Sequence, residues 1–572
     1  MKKQLFISIV FWSAIALFTY GGEKKLIGHS WDLLNVRPVD VARNLDAWEK
    51  VPLDGISLMI RVKLPDGSTA SDRTIMNDSH WDKKAFAEEV KVIRQCASRN
   101  LKHNFLITGW APIQRLAWND DKAWERFAHN LGVAAWLARE GNAKGIFIDN
   151  EDYNNIRQFF WTAGDAPYAE TAALARRRGA QVMKAMADEY PDITLLAFWL
   201  LSQNSHTMSD NPSGTIAAAG DLWVPFVNGM LDVLPPGAKI VDGNEHAYTY
   251  RAEKRDFYLA SWQVQNKVLG SIAPENRYKY RTQVQSGFGL YLDMYTSQDP
   301  KSVWYFEEFN GSRLNRFRYN CSQALDAADE YVWLYGEKMD WINWIGTGSN
   351  QDNKGGHPLT RAGRAGNRTW EEMLPGFNET LLQLRHPFLW AEQAFKRQQA
   401  VGKLKNLLAN GACIPQKTDG KKGLREGELP PGWGEWQDEN KRQGVFGTDT
   451  GKGRGDRFSL YAESVERGSL TTLIPVLPGQ IYAAQVFAQN GGRAVTIRWR
   501  KGGAIEWSLP SASLNFSATA QDGWQSAFGY IRVPDGAEEL LIILSANLKE
   551  GERAWFDDAG LFLLTTEQEL NK

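Results

Sequence analysis

Asp149 and Glu151 stand two residues apart at the end of the apolar run Gly145-Ile146-Phe147-Ile148, with Asn150 between them and Asp152 and Tyr153 after. A short apolar run of this kind reads as a strand covered on both faces. Side chains alternate along a strand, so the spacing predicts Phe147, Asp149 and Glu151 on one side and Ile148 and Asn150 on the other. Two carboxyl groups held against an apolar wall disfavour each other's ionisation. One of them can then keep its proton near neutral pH and serve as a general acid. The bland alternative is a capping aspartate followed by solvated loop acids. What else the chain brings to that strand end decides between the two.

Strand-like apolar runs alternate with longer helical patterns, as expected of βα units around a parallel sheet. The runs fall at Lys25 to Trp31, Gly55 to Val62, Asn104 to Trp110, Gly145 to Asp149, Thr194 to Leu201, Lys239 to Asp242, Gly289 to Met294 and Tyr331 to Tyr335, eight in all. Between them Trp81 to Arg99, Asp121 to Arg139, Thr171 to Glu189 and Asn315 to Asp329 repeat apolar residues at helical intervals. The expected fold is an α/β TIM (β/α)8 barrel over 23–405. A doubly wound open sheet is the competitor, but no Gly-rich phosphate turn follows the first strand and no Walker motif is present.

In such a barrel the carboxyl ends of the strands form one functional face. Here those ends supply His29 and Trp31, then Trp110, then Asp149, Glu151 and Tyr153, then Trp199, then Glu245, His246 and Tyr248, then Asp293 and Tyr295, and last Glu337. Carboxylates lined with aromatic rings are the pattern expected of glycosidic-bond hydrolysis, where two acids flank the scissile bond. His29, Trp31, Trp110, Tyr153, Trp199, His246, Tyr248 and Tyr295 are candidate substrate-binding residues. Each also has a plain structural reading, as a hydrogen-bonded strand end or as bulk filling the barrel.

Composition narrows the partner. A formal net charge of -1 gives no electrostatic reason to expect nucleic acid or an anionic membrane, whereas 24 Trp, 18 Tyr and 26 Phe provide flat faces suited to sugar rings. Residues 1–22, with Lys2-Lys3 before an apolar run from Leu5 to Tyr20 and then Gly21-Gly22, read as a signal peptide, an uncleaved anchor being the alternative. The expectation is an exported monomer, periplasmic, cell-surface or secreted, with no stable membrane insertion after removal of the signal. Only Cys96, Cys321 and Cys413 are present, so at most one disulfide forms and no Cys-based zinc site is expected. The 8 His show no His-x-His or His-Glu-x-x-His spacing, which disfavours a metal-dependent hydrolase. No cofactor is expected for catalysis.

The Asp149-Asn150-Glu151 ending resembles the Asp-x-Glu of strand four in family 18 chitinases and endo-N-acetylglucosaminidases, and the Asn-x-Glu of family 85. That resemblance implies Glu151 as general acid/base and Asp149 as the carboxylate assisting the substrate's acetamido group. The family 18 pattern carries two further aspartates upstream, where this chain has Phe147 and Lys144. Asn150-Glu151 also resembles the Asn-Glu acid/base of the retaining clan whose nucleophile ends strand seven. There this chain offers Asp293, with Glu245 and Glu337 as further candidates for the second carboxylate. The resulting expectation is an endo-acting glycoside hydrolase, against a non-catalytic glycan-binding protein on a degenerate barrel.

Over 406–572 the texture changes to Gly-rich turns and short alternating strands, which predict an all-β sandwich. The segments Leu408-Ala409-Asn410-Gly411, Pro430-Pro431-Gly432-Trp433, Leu477-Pro478-Gly479-Gln480-Ile481-Tyr482, Val533-Pro534-Asp535-Gly536-Ala537 and Trp555-Phe556-Asp557-Asp558 occur in that order. Together they resemble the jelly-roll carbohydrate-binding modules of the family 4, 9 and 16 type. That resemblance implies a glycan-binding module and makes Asp557 a candidate ligand of a structural calcium.

Overall fold

The computed structural model describes residues 24–97, 100–309, 311–345, 368–411, 427–490, 494–517 and 522–565. The expected signal peptide at 1–22, Cys413 and most of the loop from Gly346 to Thr369 lie outside them. The chain divides into two compact units, one ending at Arg385 and one beginning at His386.

The first unit is a nearly closed parallel barrel with helices around it. Its strands are β1 (Lys25–Ser30), β2 (Gly55–Leu58), β3 (Phe105–Gly109), β4 (Gly145–Asp149), β5 (Thr194–Ala197), β6 (Lys239–Asp242), β7 (Val284–Ser286), β8 (Phe288–Tyr291) and β9 (Tyr331–Gly336). Pairing runs from β1 through β7 in chain order, and β8 joins β9, which returns to β1 in register from Lys25 opposite Tyr331 to Ser30 opposite Gly336. The expectation of eight strands is corrected to nine segments, because the seventh stave is broken at one residue. Gly287 donates its N–H to the Asp242 carbonyl at 2.8 Å, and a Cβ there would lie 2.7 Å from Val241 Cγ1. Beyond Tyr291 the chain turns into a short 3-10 helix, Leu292–Tyr295, rather than continuing as strand. The second run also ends early, at Leu58, and Arg61–Lys63 pairs back on Thr69–Ser71 as a hairpin. Polar residues alternate there in a way that a stave buried on both faces cannot accommodate.

Aromatic rings fill the barrel. Phe198 stacks on Trp333 at 4.9 Å between centroids, and Phe147 meets Trp333 edge-on at 5.3 Å. The Trp333 indole N–H donates to the Gly243 carbonyl at 2.8 Å, so the buried ring leaves no orphan donor. Outside, the helices Tyr168–Glu189 and Trp223–Val233 touch almost backbone to backbone. A Cβ at Gly179 would lie 1.9 Å from the Phe226 carbonyl oxygen, and one at Gly229 1.8 Å from that of Arg176. Gly229→Ala must therefore push the two helices apart. The expected loss is about 1–3 kcal/mol, the usual range for overpacking, read as an earlier barrel transition in urea; an unchanged midpoint would refute the contact.

In the second unit the helix Pro387–Ala400 packs Phe395 against Phe528 at 5.4 Å and Phe562 at 6.0 Å. The division at Arg385 therefore precedes the change of sequence texture near 405, because this helix belongs with the sandwich. Proline at the first helical position separates it from Phe377–Arg385. Two antiparallel sheets follow. One orders Trp433–Gln437, Gly468–Pro475, Glu539–Ala546, Ala494–Lys501 and Ala504–Ile505, with Ala512–Asn515 on Ala494–Lys501. The other orders Val445–Asp449, Ser459–Glu463, Arg553–Leu563, Ile481–Gln489 and Gln525–Arg532. Leu470, Ile497, Ile542, Phe556 and Leu561 lie in the core of this unit.

Asp557, the calcium candidate, accepts the backbone N–H groups of Arg454 at 2.6 Å and Asp558 at 2.7 Å. The Arg454 guanidinium reaches the neighbouring Asp558 at 3.0 Å and Asp522 at 3.2 Å. Among the described residues no group of three or more His, Cys, Asp or Glu is placed to hold a metal.

Candidate active site

The carboxylates at the barrel mouth separate into two kinds by what fills their oxygens. Asp242 at the end of β6 accepts the N–H groups of Leu200, Leu201 and Ser202 at 2.8–2.9 Å. Asp32 accepts Trp341 N–H at 3.0 Å and the Trp344 indole at 3.1 Å. Asp293, proposed above as a second carboxylate, is 1% exposed and accepts the N–H groups of Glu337 at 2.7 Å and Lys338 at 3.2 Å. These acids fasten loops, and for Asp293 that replaces the catalytic expectation. Burial raises the Asp293 carboxyl to about 6 against the pull of those amides.

Glu151 and Glu245 are of the other kind. Glu151 follows β4, its N–H donating to Asp149 Oδ1 at 3.1 Å, and its side chain accepts the Tyr153 hydroxyl. Glu245 follows β6 after Asn244, whose φ of 39° bends the chain in the left-handed region that asparagine tolerates. The Glu245 N–H donates to the Phe198 carbonyl at 3.0 Å, and Gln203 Nε2 donates to its carboxylate at 3.1 Å. Gln203 is itself placed by the loop that Asp242 holds. Burial, the Glu245 charge and then the Asp149 charge push Glu151 well above the usual carboxylate range. Glu245 is raised as well, by burial first and then by the Asp149 charge.

Asp149 is 4% exposed and pairs with Arg73 Nη1 at 2.8 Å. Its own carboxyl is raised by burial, with Arg73 opposing. Strand alternation does not carry past Asp149, where β4 ends, so the two acids are not equivalent neighbours on one face. Asp149 lies beneath, clamped by a guanidinium, and Glu151 lies at the opening. Nothing in the order of residues marks Arg73, which sits 76 residues before its partner in the loop after the hairpin. Asp72 delivers it, its carbonyl accepting the N–H of Gly109 at the end of β3 at 2.8 Å. Arg73→Met leaves Asp149 buried without its cation. Removing one partner of a fully buried pair costs about 3–5 kcal/mol; because Arg73 is 40% exposed at its side chain, a loss of about 1–3 kcal/mol is expected after allowing for solvent screening. Urea denaturation checks this, and an Arg73→Met midpoint equal to wild type would deny the clamp.

A row of tyrosines closes one side. Tyr335 stacks on Tyr291 at 5.5 Å and faces Tyr248 at 6.1 Å, and its hydroxyl donates to Glu337 at 3.0 Å. Tyr248 is 8% exposed. Its buried hydroxyl points to the Glu245 carboxylate and opposes the rise of that group's pKa.

The other expected substrate contacts divide. Tyr153 is 69% exposed beside Glu151, and His246 is exposed at the rim. Trp199 is half-buried, its carbonyl accepting Asn150 Nδ2 at 3.1 Å, and Trp31 is half-buried with its carbonyl bound by Asn35 at 2.6 Å. Three expectations fail on burial. His29 is 1% exposed, its Nδ1 lies 2.8 Å from the Ser57 hydroxyl, and burial lowers its pKa to about 3, so it is a neutral core residue. Trp110 packs fully buried between Phe127 and Trp223. Tyr295 packs against Phe306 and accepts Asn320 Nδ2 at 3.1 Å inside the protein.

No family model and no curated protein matches the chain. Among solved structures, the enzymatically active domain of bacteriophage CBA120 tailspike protein 4 is 15% identical over 28% of this chain and 21% of its own, with a TM-score of 0.21. TmCBM61 in complex with beta-1,4-galactotriose is 19% identical over 28% of this chain and 99% of its own, with a TM-score of 0.19. The arabinose-bound MgGH51 α-L-arabinofuranosidase is 15% identical over 30% of this chain and 28% of its own, with a TM-score of 0.20. The neighbours thus include glycoside hydrolases and carbohydrate-binding modules, and the chain spans about a fifth of the tailspike domain it matches. No helix among the described residues is long and apolar enough to cross a membrane.

Proposed function

We propose that the barrel hydrolyses a glycosidic bond of a neutral or N-acetylated glycan, with Glu151 as general acid/base and Glu245 as the second carboxylate. The observation that carries this reading is that, among the described residues, these two mouth carboxyl groups are held by neither a backbone amide nor a cation and that the Glu245 charge raises Glu151, whereas Glu337, likewise free of both, is bound by the Tyr335 hydroxyl and is not among the charges acting on Glu151. A pair in that state holds one proton readily and a second with difficulty. Glu151, raised by the Glu245 and Asp149 charges together, gives its proton to the leaving glycosidic oxygen as the bond from the anomeric carbon breaks. Glu245, ionised, either attacks that carbon or takes a proton from the water that does. Asp149, fixed by Arg73, serves by repulsion, keeping Glu151 protonated.

The test is a reducing-end assay across soluble neutral and N-acetylated polysaccharides, run beside Glu151→Gln. Release by the wild type and none by the variant supports the reading. Binding without release by either would leave a glycan-binding protein on a barrel scaffold, and this assignment would be withdrawn.

A further inference from the structure

We infer that Trp304 is a stacking platform for a sugar ring of the bound glycan, outward of the acid pair; this deepens the reading of the barrel as a glycan-cleaving site and rests on it. Trp304 lies in the loop after β8 and is 45% exposed, although the loop itself is fastened. Its N–H donates to Ser302 Oγ at 3.1 Å, and the next anchor, Phe306, is 1% exposed with its N–H on the Met294 carbonyl at 3.1 Å. The indole stands edge-to-face on Tyr291 at 5.3 Å and 88°, which sets its orientation. The ring is thus held in a fixed orientation while its outer face stays in water.

Its neighbours say what the ring is for. Tyr291 continues inward to Tyr248 at 5.3 Å, whose buried hydroxyl bears on the Glu245 carboxylate. A line of three rings therefore runs from an exposed apolar face to one of the two acids. A pyranose chain matches both ends. The C–H faces of one ring lie on the electron-rich indole face, and the glycosidic bond to the next ring lies toward the carboxylates. A lipid or simple aromatic ligand would cover the indole and leave the carboxylates unanswered.

The experiment compares wild type, Trp304→Ala and Trp304→Phe by calorimetric titration with cellohexaose, xylohexaose and chitohexaose, and by reducing-end kinetics on whichever of them is cleaved. The expected result is an affinity about 10-fold or more weaker in Trp304→Ala, with KM raised, kcat largely kept and most of the loss recovered in Trp304→Phe. Equal affinity of Trp304→Ala and wild type for every hexaose, or binding of none of them by the wild type, overturns the platform. Weaker binding by Trp304→Ala with no reducing ends from the wild type would keep the platform and remove the hydrolase. Normal hydrolysis with unchanged binding would do the reverse.

Discussion

Glu151→Gln is expected to lower kcat/KM by about 10³-fold, within the 10²–10⁴ that a positioned acid contributes, while glycan affinity stays near wild type. The amide keeps the shape and the contact with Tyr153 but has no proton to give the leaving oxygen. The pH profile carries a second signature. Burial and the Glu245 charge hold the Glu151 carboxyl protonated well above the ordinary range, so the alkaline limb of wild-type activity should lie near neutral pH or beyond. The same shift has a consequence for stability with a definite sign. A group whose folded pKa is raised stabilises the fold fully below its unfolded pKa and loses that contribution as pH rises through the folded one. Wild type should therefore lose thermal stability on going from pH 5 to pH 9 through this group, and Glu151→Gln should not. A Tm difference that grows with pH in favour of the variant confirms it. Parallel melting curves at both pH values would show that Glu151 titrates normally and is no acid catalyst.

Asp149 offers the contrast that makes the assignment specific. Both acids end the same strand, but Arg73 meets one and not the other. The guanidinium opposes the burial that raises the Asp149 carboxyl and fixes that group beneath the opening, where Glu151 and not Asp149 faces a substrate. The reach of Asp149 is electrostatic, on Glu151 and on Glu245 together.

The barrel was legible because its strands are short apolar runs between amphipathic helices, and each of the eight runs begins within one residue of an observed strand. Only the second half of the seventh stave was read, because Val284-Gln285-Ser286 looks polar and a glycine break separates it from Phe288–Tyr291. Trp433–Gln437 and Val445–Asp449 were missed in the sandwich for a similar reason, being exposed or Gly-interrupted edge segments. Within the candidate site, Asp149, Glu151, Glu245 and Tyr248 could each be named from strand ends alone. What the sequence does not carry is which acid has its oxygens already filled. Asp293 and Glu245 look alike as letters after a strand, yet one is bonded to two amides from β9's loop and the other is not. Arg73 and Trp304 were invisible for the same reason: each acquires its meaning from a partner supplied by another βα loop or stave.

Glu245→Gln should cut kcat by about 10³-fold, comparable with loss of the acid, and should also move the acid itself. Removing the Glu245 charge takes away the repulsion that follows burial among the causes raising Glu151. The Glu151 carboxyl should then titrate lower, and the alkaline limb of the residual activity should shift toward acid. Carbon-13 NMR of labelled glutamate in wild type and variant reads that titration directly. A Glu151 titration unmoved by Glu245→Gln would mean the two groups do not share a field, and the catalytic pair would dissolve. Where the shift is found, product configuration separates the two roles left for Glu245. A carboxylate about 5 Å from the acid attacks carbon and gives retention, whereas one roughly 6.5–9.5 Å away leaves room for water and gives inversion. Only a retaining enzyme should be rescued by azide in Glu245→Gly, because the small anion replaces a nucleophile and has no comparable part to play where Glu245 serves as a base.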